Sequence, residues 1–263
     1  MTSLSGCGVR LEDGAPDIPF VPEREPIPGE APLLALLGVL DHSDEQHAAE
    51  RADLLRAALT RAQVPERLAS APAAPAAGEV VFAYEFSVRE CGPALLPLTG
   101  RLLATRRITT DSRDEQWSEP SPAAWKDGSV AAEALEATRA ARYAVELIAA
   151  KTKDDKAAAT ILEASQGLGD LLARQTTAAG ESIGKAALGY DVPHTFTAAE
   201  ATQLGTQTFT RLLAAYANGF ARLGEDRQAA LEVVEWMVTA ERLSRAPFPL
   251  EVPVLYGGAP AGS

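Results

Sequence analysis

Cysteine is nearly absent from this sequence, which contains only Cys7 and Cys91. The two residues form no Cys-x-x-Cys motif, so nothing indicates a thiol-redox centre or a cysteine zinc site. A single disulfide between them is chemically allowed, but their spacing does not require it. Cys91 lies on an apolar stripe, and we expect it to be buried as a small hydrophobic residue.

Positive charge is scarce relative to negative charge. Lys and Arg number 24 against 36 Asp and Glu, which gives a formal net charge of −12. Binding to nucleic acid and electrostatic attraction to anionic lipid both depend on clustered Lys and Arg, so this balance argues against both. Aromatic residues make up only 6% of the chain, and its many alanines are typical of closely packed helices.

Long apolar runs and catalytic motifs are missing as well. The most apolar stretch, 31–40, has about half of the roughly 20 residues that a membrane-spanning helix needs, so we expect a buried helix there. No basic and apolar segment typical of a signal peptide precedes Cys7. The sequence has no Gly-x-Ser-x-Gly motif and no glycine-rich loop after a predicted strand. We therefore predict no catalytic residues and no cofactor.

What the chain does contain is four successive amphipathic segments between 129 and 245. In each, apolar residues recur at three- and four-residue steps, as on one face of a helix. The signals at their ends are Ser129 as an N-cap, Asp154 or Asp155 before the second segment, Gly189 and Pro193 after it, a Thr197–Glu200 capping box and a final Pro247. Four such helices with short connections predict an antiparallel bundle. Gly167, Gly169, Gly180 and Gly184 interrupt the second segment and are expected to bend or break that helix.

The stretch 80–109 allows two interpretations. Alternating apolar residues from Val80 to Val88 are typical of a strand. A three- and four-residue step also continues from Val81 through Cys91 to Leu102, and this longer period favours helix, with Pro93 in the first turn of a second piece. The alternative is a hairpin that pairs 80–88 with 101–109.

The N-terminus carries a short motif for lipid attachment. Residues 4–7 (LSGC) match a bacterial lipobox, in which Cys7 is acylated and becomes the mature N-terminus. The segment 8–31 is rich in proline and has no amphipathic period. Such segments are extended, at about 3.1 Å per residue, so this one could hold a domain about 70 Å from a bilayer. Alternatively, the arm lies along the protein's own surface, with Phe20 and Val21 docked onto a helix.

Two groups of side chains are weak candidates for metal ligands. His47 and Glu50 lie one helical turn apart in an acidic stretch, and borderline metals accept His and carboxylate ligands. An acidic helix start explains the same residues, because carboxylates complement the helix dipole. We favour that explanation.

The second group is Glu232 and Glu235, which share a helix face and have Glu146 and Glu163 as their nearest candidate partners. No His falls within the four predicted bundle helices, and Glu is rarely buried unless it is paired. We therefore expect these carboxylates to face solvent and predict no metal site.

Five short motifs, located towards the two ends of the chain, together suggest a family resemblance. They are 7–13 (CGVRLED), 24–28 (REPIP), 135–141 (LEATRAA), 188–193 (LGYDVP) and 247–249 (PFP). The chain thereby resembles uncharacterised actinobacterial secreted lipoproteins whose C-terminal part is a ferritin-like four-helix domain; the resemblance is weaker from 64 to 128. It implies export, acylation of Cys7 with chains such as palmitate, and an all-helical fold. It implies no activity.

We predict an all-α organisation in five regions. These are a lipobox and Pro-rich tether at 1–30, an N-terminal helical region at 31–110, a linker at 111–128, a ferritin-like four-helix bundle at 129–250 and a flexible tail at 251–263. The expected function is that of a non-catalytic protein, lipid-anchored to the outer face of the cytoplasmic membrane. It would bind another envelope or membrane protein, for example as an accessory subunit of a membrane complex. The alternative is a ferritin-like envelope protein that encloses a metal or another ligand.

Replacement of Cys7 by Ser tests the tether. We expect the variant to leave the membrane and keep its fold, because only the acyl anchor is lost. Fractionation of cells into membrane and soluble parts measures the first effect, and circular dichroism of the purified variant measures the second. Loss of helical structure in the variant would contradict the tether interpretation.

Overall fold

The computed structural model of this chain describes residues 24–70, 72–74, 78–110, 117–118, 123–185, 187, 189–190, 193 and 195–258. Every regular element in these ranges is a helix, which confirms the predicted all-α class. No helix in them combines the length and apolar character needed to cross a bilayer. Most of the predicted tether, up to residue 23, lies outside the described residues.

Five helices make up the N-terminal part of the described chain. They are α1 (Glu30–Asp41), α2 (Ala48–Arg61), α3 (Glu66–Ala69), α4 (Glu79–Glu90) and α5 (Leu96–Thr109). The longer apolar period of 80–109 therefore predicts the structure correctly, and the hairpin alternative is wrong. Pro93 does not open the second of these two helices. It lies in the turn before α5, and Pro97 occupies the first turn instead.

Four longer helices follow, and single 3₁₀ turns extend two of them at 180–182 and 220–222. The helices are α6 (Ser129–Lys151), α7 (Asp155–Ala179), α8 (Ala198–Gly219) and α9 (Arg227–Arg245). The predicted capping box of Thr197 and Glu200 forms at the start of α8. The start of α6 differs from the prediction, because Gly128 is its N-cap and the backbone N–H of Ser129 donates to Asp127 at 2.9 Å.

Helix α7 does not break at its internal glycines. A side chain at Gly167 would collide with Leu243 of α9, so the glycine lets the two helices approach each other closely. The expected break at Gly167 and Gly169 does not occur, since packing outweighs the low helix propensity of glycine. The helix ends at Gly180, one of the glycines expected to interrupt it, whose φ of +52° favours glycine, and not at Gly189.

The long helices contact one another in a cycle. Helix α6 packs on α7 and α8, and α9 packs on the same two helices. Helix α9 also packs on α5 and α4, and α4 packs on α1 and α5. One apolar core runs through both groups of helices, from Leu33 on α1 to Tyr256 beyond α9. Helix α9 thus packs on both groups of helices, and α5 adds contacts to α8 and to the 3₁₀ turn at 220–222.

The chain beyond α9 packs against the N-terminal helices. The carbonyl of Val254 accepts a hydrogen bond from Arg51 on α2 at 2.8 Å, and the carbonyl of Tyr256 accepts one from Arg101 on α5 at 3.1 Å. The backbone N–H of Tyr256 donates to Thr105 at 3.0 Å, and its side chain is buried. A flexible tail therefore does not begin at 251, because 251–258 is held by these contacts.

Gly128 provides a test of how tightly the start of α6 packs. A Cβ atom at this position would collide with the backbone carbonyl of Ala179 at the end of α7. We expect Gly128→Ala to lower the free energy of unfolding by about 1–3 kcal/mol, because a backbone atom has to move to make room. Urea denaturation followed by circular dichroism measures the change.

Gly184→Ala is the matched control, because nothing lies within 4 Å of a Cβ atom at Gly184. We expect this variant to be at least as stable as the wild type. Equal stability of the two variants would contradict the close packing at Gly128.

Candidate functional site

The predicted lipidation residue, Cys7, lies outside the described residues, as does His194. Acylation of Cys7 therefore stays a prediction. Cys91 is free and buried, as its place on the apolar stripe predicts. Burial raises the pKa of its thiol, with an opposing effect of its hydrogen bond to Thr99.

The first group of weak metal candidates does not converge on one point. His47 and Glu50 lie 3.1 Å apart at the start of α2, where the Glu50 side chain is 56% exposed. Glu45, which precedes them, is paired with Arg51 and Arg106 instead. In the described part of the chain, no three His, Cys, Asp or Glu side chains come together as metal ligands.

The second group separates because its two carboxylates meet different partners. Glu235 forms an ion pair with Arg107 of α5. Glu232 is only 6% exposed, and its Oε2 accepts a hydrogen bond from the Trp125 indole at 3.0 Å. The expectation that Glu232 faces solvent is therefore wrong, because Trp125 reaches it from the segment before α6. Glu146, one of their expected partners, is paired with Arg142 on its own helix.

Trp125 lies between α7 and α9. Its backbone N–H donates to the carbonyl of Ala178 at 3.0 Å, and its ring stacks on Trp236 with 5.0 Å between centroids and 10° between planes. Trp236 in turn meets the ring of Tyr216 edge-on. The segment predicted to be a linker thus places a tryptophan between two of the long helices.

Next to these rings lies a buried polar chain. Thr138 donates to the carbonyl of Ala134 at 2.8 Å, so the hydroxyl of Tyr216, which lies 2.6 Å from Thr138, donates to that residue. The side-chain amide of Gln175 donates to the Tyr216 oxygen at 2.9 Å. Burial raises the pKa of Tyr216 to about 12, so this hydroxyl is neutral at physiological pH. The chain links α6, α7 and α8.

Two acceptor atoms in this interior, Gln175 Oε1 and Glu232 Oε1, have no hydrogen-bond partner among the described residues. Burial raises the pKa of the Glu232 carboxyl, the hydrogen bond from Trp125 opposes that rise, and the nearby charge of Asp226 adds to it. Burial of a carboxylate without a cation favours its protonated form. Glu232 is therefore suited to a neutral structural role in the interior.

A separate cavity opens at the surface, where the end of α6, the starts of α7 and α8 and the chain after α9 meet. Its volume is about 840 Å³. Lys151, Lys153 and Lys156 contribute to its wall, and Ile148, Ile161 and Phe248 contribute apolar surface. We call it the three-lysine pocket. Cavities of roughly 300–1,000 Å³ are typical of small-molecule sites.

The three-lysine pocket is locally basic in an acidic protein. It contains three of the five lysines of the chain. Its acidic lining residue, Asp154, is the N-cap of α7 and accepts the Ala157 N–H at 2.7 Å. Lys151 lies over the ring of Phe196, 5.8 Å from its centroid. The run KTKDDK at 151–156 is the sequence signal of this site, but only the fold brings Phe196 and Phe248 to it.

Comparison with family models, with curated proteins and with solved structures gave no match. The resemblance to secreted lipoproteins therefore remains a prediction from the sequence motifs.

Glu232→Gln tests the buried carboxyl through the pH dependence of stability. A carboxyl whose pKa is raised by folding stabilises the folded state fully below its unfolded pKa of about 4.3, and this contribution is lost as pH rises through the raised value. We expect the melting temperature of the wild type to fall relative to that of Glu232→Gln as pH rises above about 4. Thermal denaturation in a series of buffers measures this difference.

Glu163→Gln, an exposed change on α7, is the control and should follow the wild type at every pH. Parallel pH curves for the wild type and Glu232→Gln would show that the burial of this carboxyl does not influence stability.

Proposed function

We propose that this chain is a non-catalytic binding protein of the cell envelope, lipid-anchored through Cys7 to the outer face of the cytoplasmic membrane. The location rests on the lipobox at 4–7 and the Pro-rich segment behind it. In this proposal the helical body is an accessory subunit of a membrane-associated complex and binds an envelope component. The observation that carries the binding role is the three-lysine pocket.

The chemistry of the pocket lining supports binding more than reaction. The titratable side chains of its described lining are the three lysines and Asp154, and Asp154 is already engaged at the start of α7. Covalent catalysis requires a nucleophile next to a base that is itself oriented by a third group. The pocket offers hydroxyl groups such as Thr152, but this hydroxyl donates to the carbonyl of Ile148 at 2.8 Å. The pocket is thus suited to holding an anion.

A second candidate function is that of a ferritin-like protein that encloses a ligand between its long helices. The cycle of contacts among α6, α7, α9 and α8 supports a four-helix arrangement. The specific observation in its favour is that Gln175 and Glu232 each have a buried side-chain oxygen without a hydrogen-bond partner among the described residues. Small polar molecules that both donate and accept hydrogen bonds would satisfy these oxygens.

The donor set of this interior does not fit a pair of metal ions. Metal-binding bundles of this type project a Glu from two helices and a Glu-x-x-His pair from the other two. In the described part of the chain, the polar and aromatic cluster consists of Thr138, Gln175, Tyr216, Trp236, Trp125 and Glu232, and only Glu232 among them has a carboxyl group. Elemental analysis of the purified protein tests this conclusion, and a stoichiometric transition metal would overturn it.

Mass spectrometry of the native protein tests the location. We expect the mature chain to begin at Cys7 and to carry acyl chains, and we expect it in the membrane fraction. Cys91→Ser is the matched control, because it removes the other cysteine and should leave the lipid in place. An unmodified chain that starts upstream of Cys7, recovered from the cytosol, would overturn the proposed location.

Gentle detergent extraction followed by size-exclusion chromatography tests the accessory-subunit role. The protein should elute together with a membrane protein, at a size larger than that of a 27.7 kDa chain in its detergent micelle. Elution at the size of the micelle-bound chain alone would contradict the accessory-subunit role.

A further inference from the structure

The three-lysine pocket joins a charged wall to an apolar floor. Its apolar lining includes Phe196, Ala201 and Pro247, which are partly exposed, and the core residues Ile148, Ile161 and Phe248, whose surfaces are only 1%, 6% and 2% exposed. Two contacts fix the position of Phe248. Its ring centroid lies 6.1 Å from that of Phe209, and its backbone N–H donates to the carbonyl of Ser244 at 2.7 Å. The apolar part of the pocket is therefore preformed.

The charged wall has ammonium groups that the protein does not neutralise. Lys153 and Lys156 are exposed and form no ion pair within the described part of the chain. A lysine ammonium is a compact, strongly hydrated charge, which pairs well with a carboxylate or phosphate group. Among the described lining residues, three lysines against one aspartate give a net charge of +2, opposite in sign to the net charge of the whole chain.

We propose that the three-lysine pocket binds a single-chain amphiphile with an anionic head group. The head group contacts Lys153 and Lys156 at the rim, and the aliphatic chain lies against the partly exposed apolar side chains of Phe196, Ala201 and Pro247. This inference deepens the binding role in the proposed function and rests on it. A ligand with only the anionic group, or only the aliphatic chain, would leave the other part of the pocket without a contact. The probes of the test therefore separate these two parts.

Isothermal titration calorimetry on the full chain, produced without export and so without lipid on Cys7, tests this assignment. The probes are three amphiphiles and one simple anion: dodecanoate, dodecyl phosphate, dodecyltrimethylammonium and inorganic phosphate. The amphiphiles are kept below their critical micelle concentrations. We expect one molecule of dodecanoate or dodecyl phosphate to bind per chain, and the tighter of the two identifies the head group. The cationic amphiphile and inorganic phosphate should bind at least about tenfold more weakly.

Variants locate the binding to the pocket. Lys153→Gln with Lys156→Gln should weaken binding of the anionic amphiphile at least about tenfold. The matched control is Lys126→Gln with Lys185→Gln, which removes the same charge at two exposed lysines outside the pocket. It should leave the affinity unchanged. Lys151 is left intact because it lies over Phe196.

A steric block gives an independent check. Ala157 is an exposed lining residue, so Ala157→Trp should fill the pocket and abolish binding while the helix persists. Ala159→Trp changes an exposed residue of the same helix outside the lining and should bind as the wild type does. Circular dichroism confirms the fold of every variant.

Three results would overturn the inference: equal affinity for the cationic amphiphile, equal loss in the two lysine double variants, or no binding of either anionic amphiphile. Because the titration uses unlipidated protein, such a failure would not bear on the location, which depends on Cys7. Conversely, a chain found unmodified in the cytosol would remove the proposed location even if the pocket binds its probe.

Discussion

The burial of α9 on almost every side is the constraint on which the rest of this structure depends. Helices α5, α7 and α8 pack against it, and most of its residues from Ala229 to Ala240 are buried. Every carboxylate on a helix in this position needs a partner or a proton. Glu235 meets Arg107 of α5, Glu241 meets Arg245, and Glu232 meets Trp125. Two of these contacts leave α9, one to α5 and one to the segment before α6.

Charge in this protein is distributed unevenly, and the net value conceals that. The net charge of −12 argues against binding to nucleic acid or to an anionic membrane through a broad surface of the protein. A small ligand responds to the few charges within reach of its head group, because exposed charges farther away than about 8–10 Å are screened. The three-lysine pocket is basic on that scale. An acidic protein can therefore contain a site for an anion.

Much of the helical structure could be predicted from local patterns. In 80–109, the three- and four-residue spacing of apolar residues predicted helix correctly, against the short alternating pattern typical of a strand. Thr197 and Glu200 marked the start of α8. Both signals are local, because capping and helical periodicity act within a few residues. Predictions failed where distant contacts decided the outcome. Gly167 does not break α7, since Leu243 of α9 packs over it, and residues 251–258 are held by Arg51 and Arg101.

The sequence by itself determined the all-α class, the helix starts that side chains cap and the lysine run at 151–156, because these features depend on neighbouring residues. Only the tertiary structure decided which of those residues form sites. Trp125 and Glu232 are 107 positions apart, and no local pattern relates them. Phe248 likewise lies far along the chain from the lysines whose pocket it helps to line. Such contacts arise when helices bury their apolar faces against one another, so they depend on the whole fold.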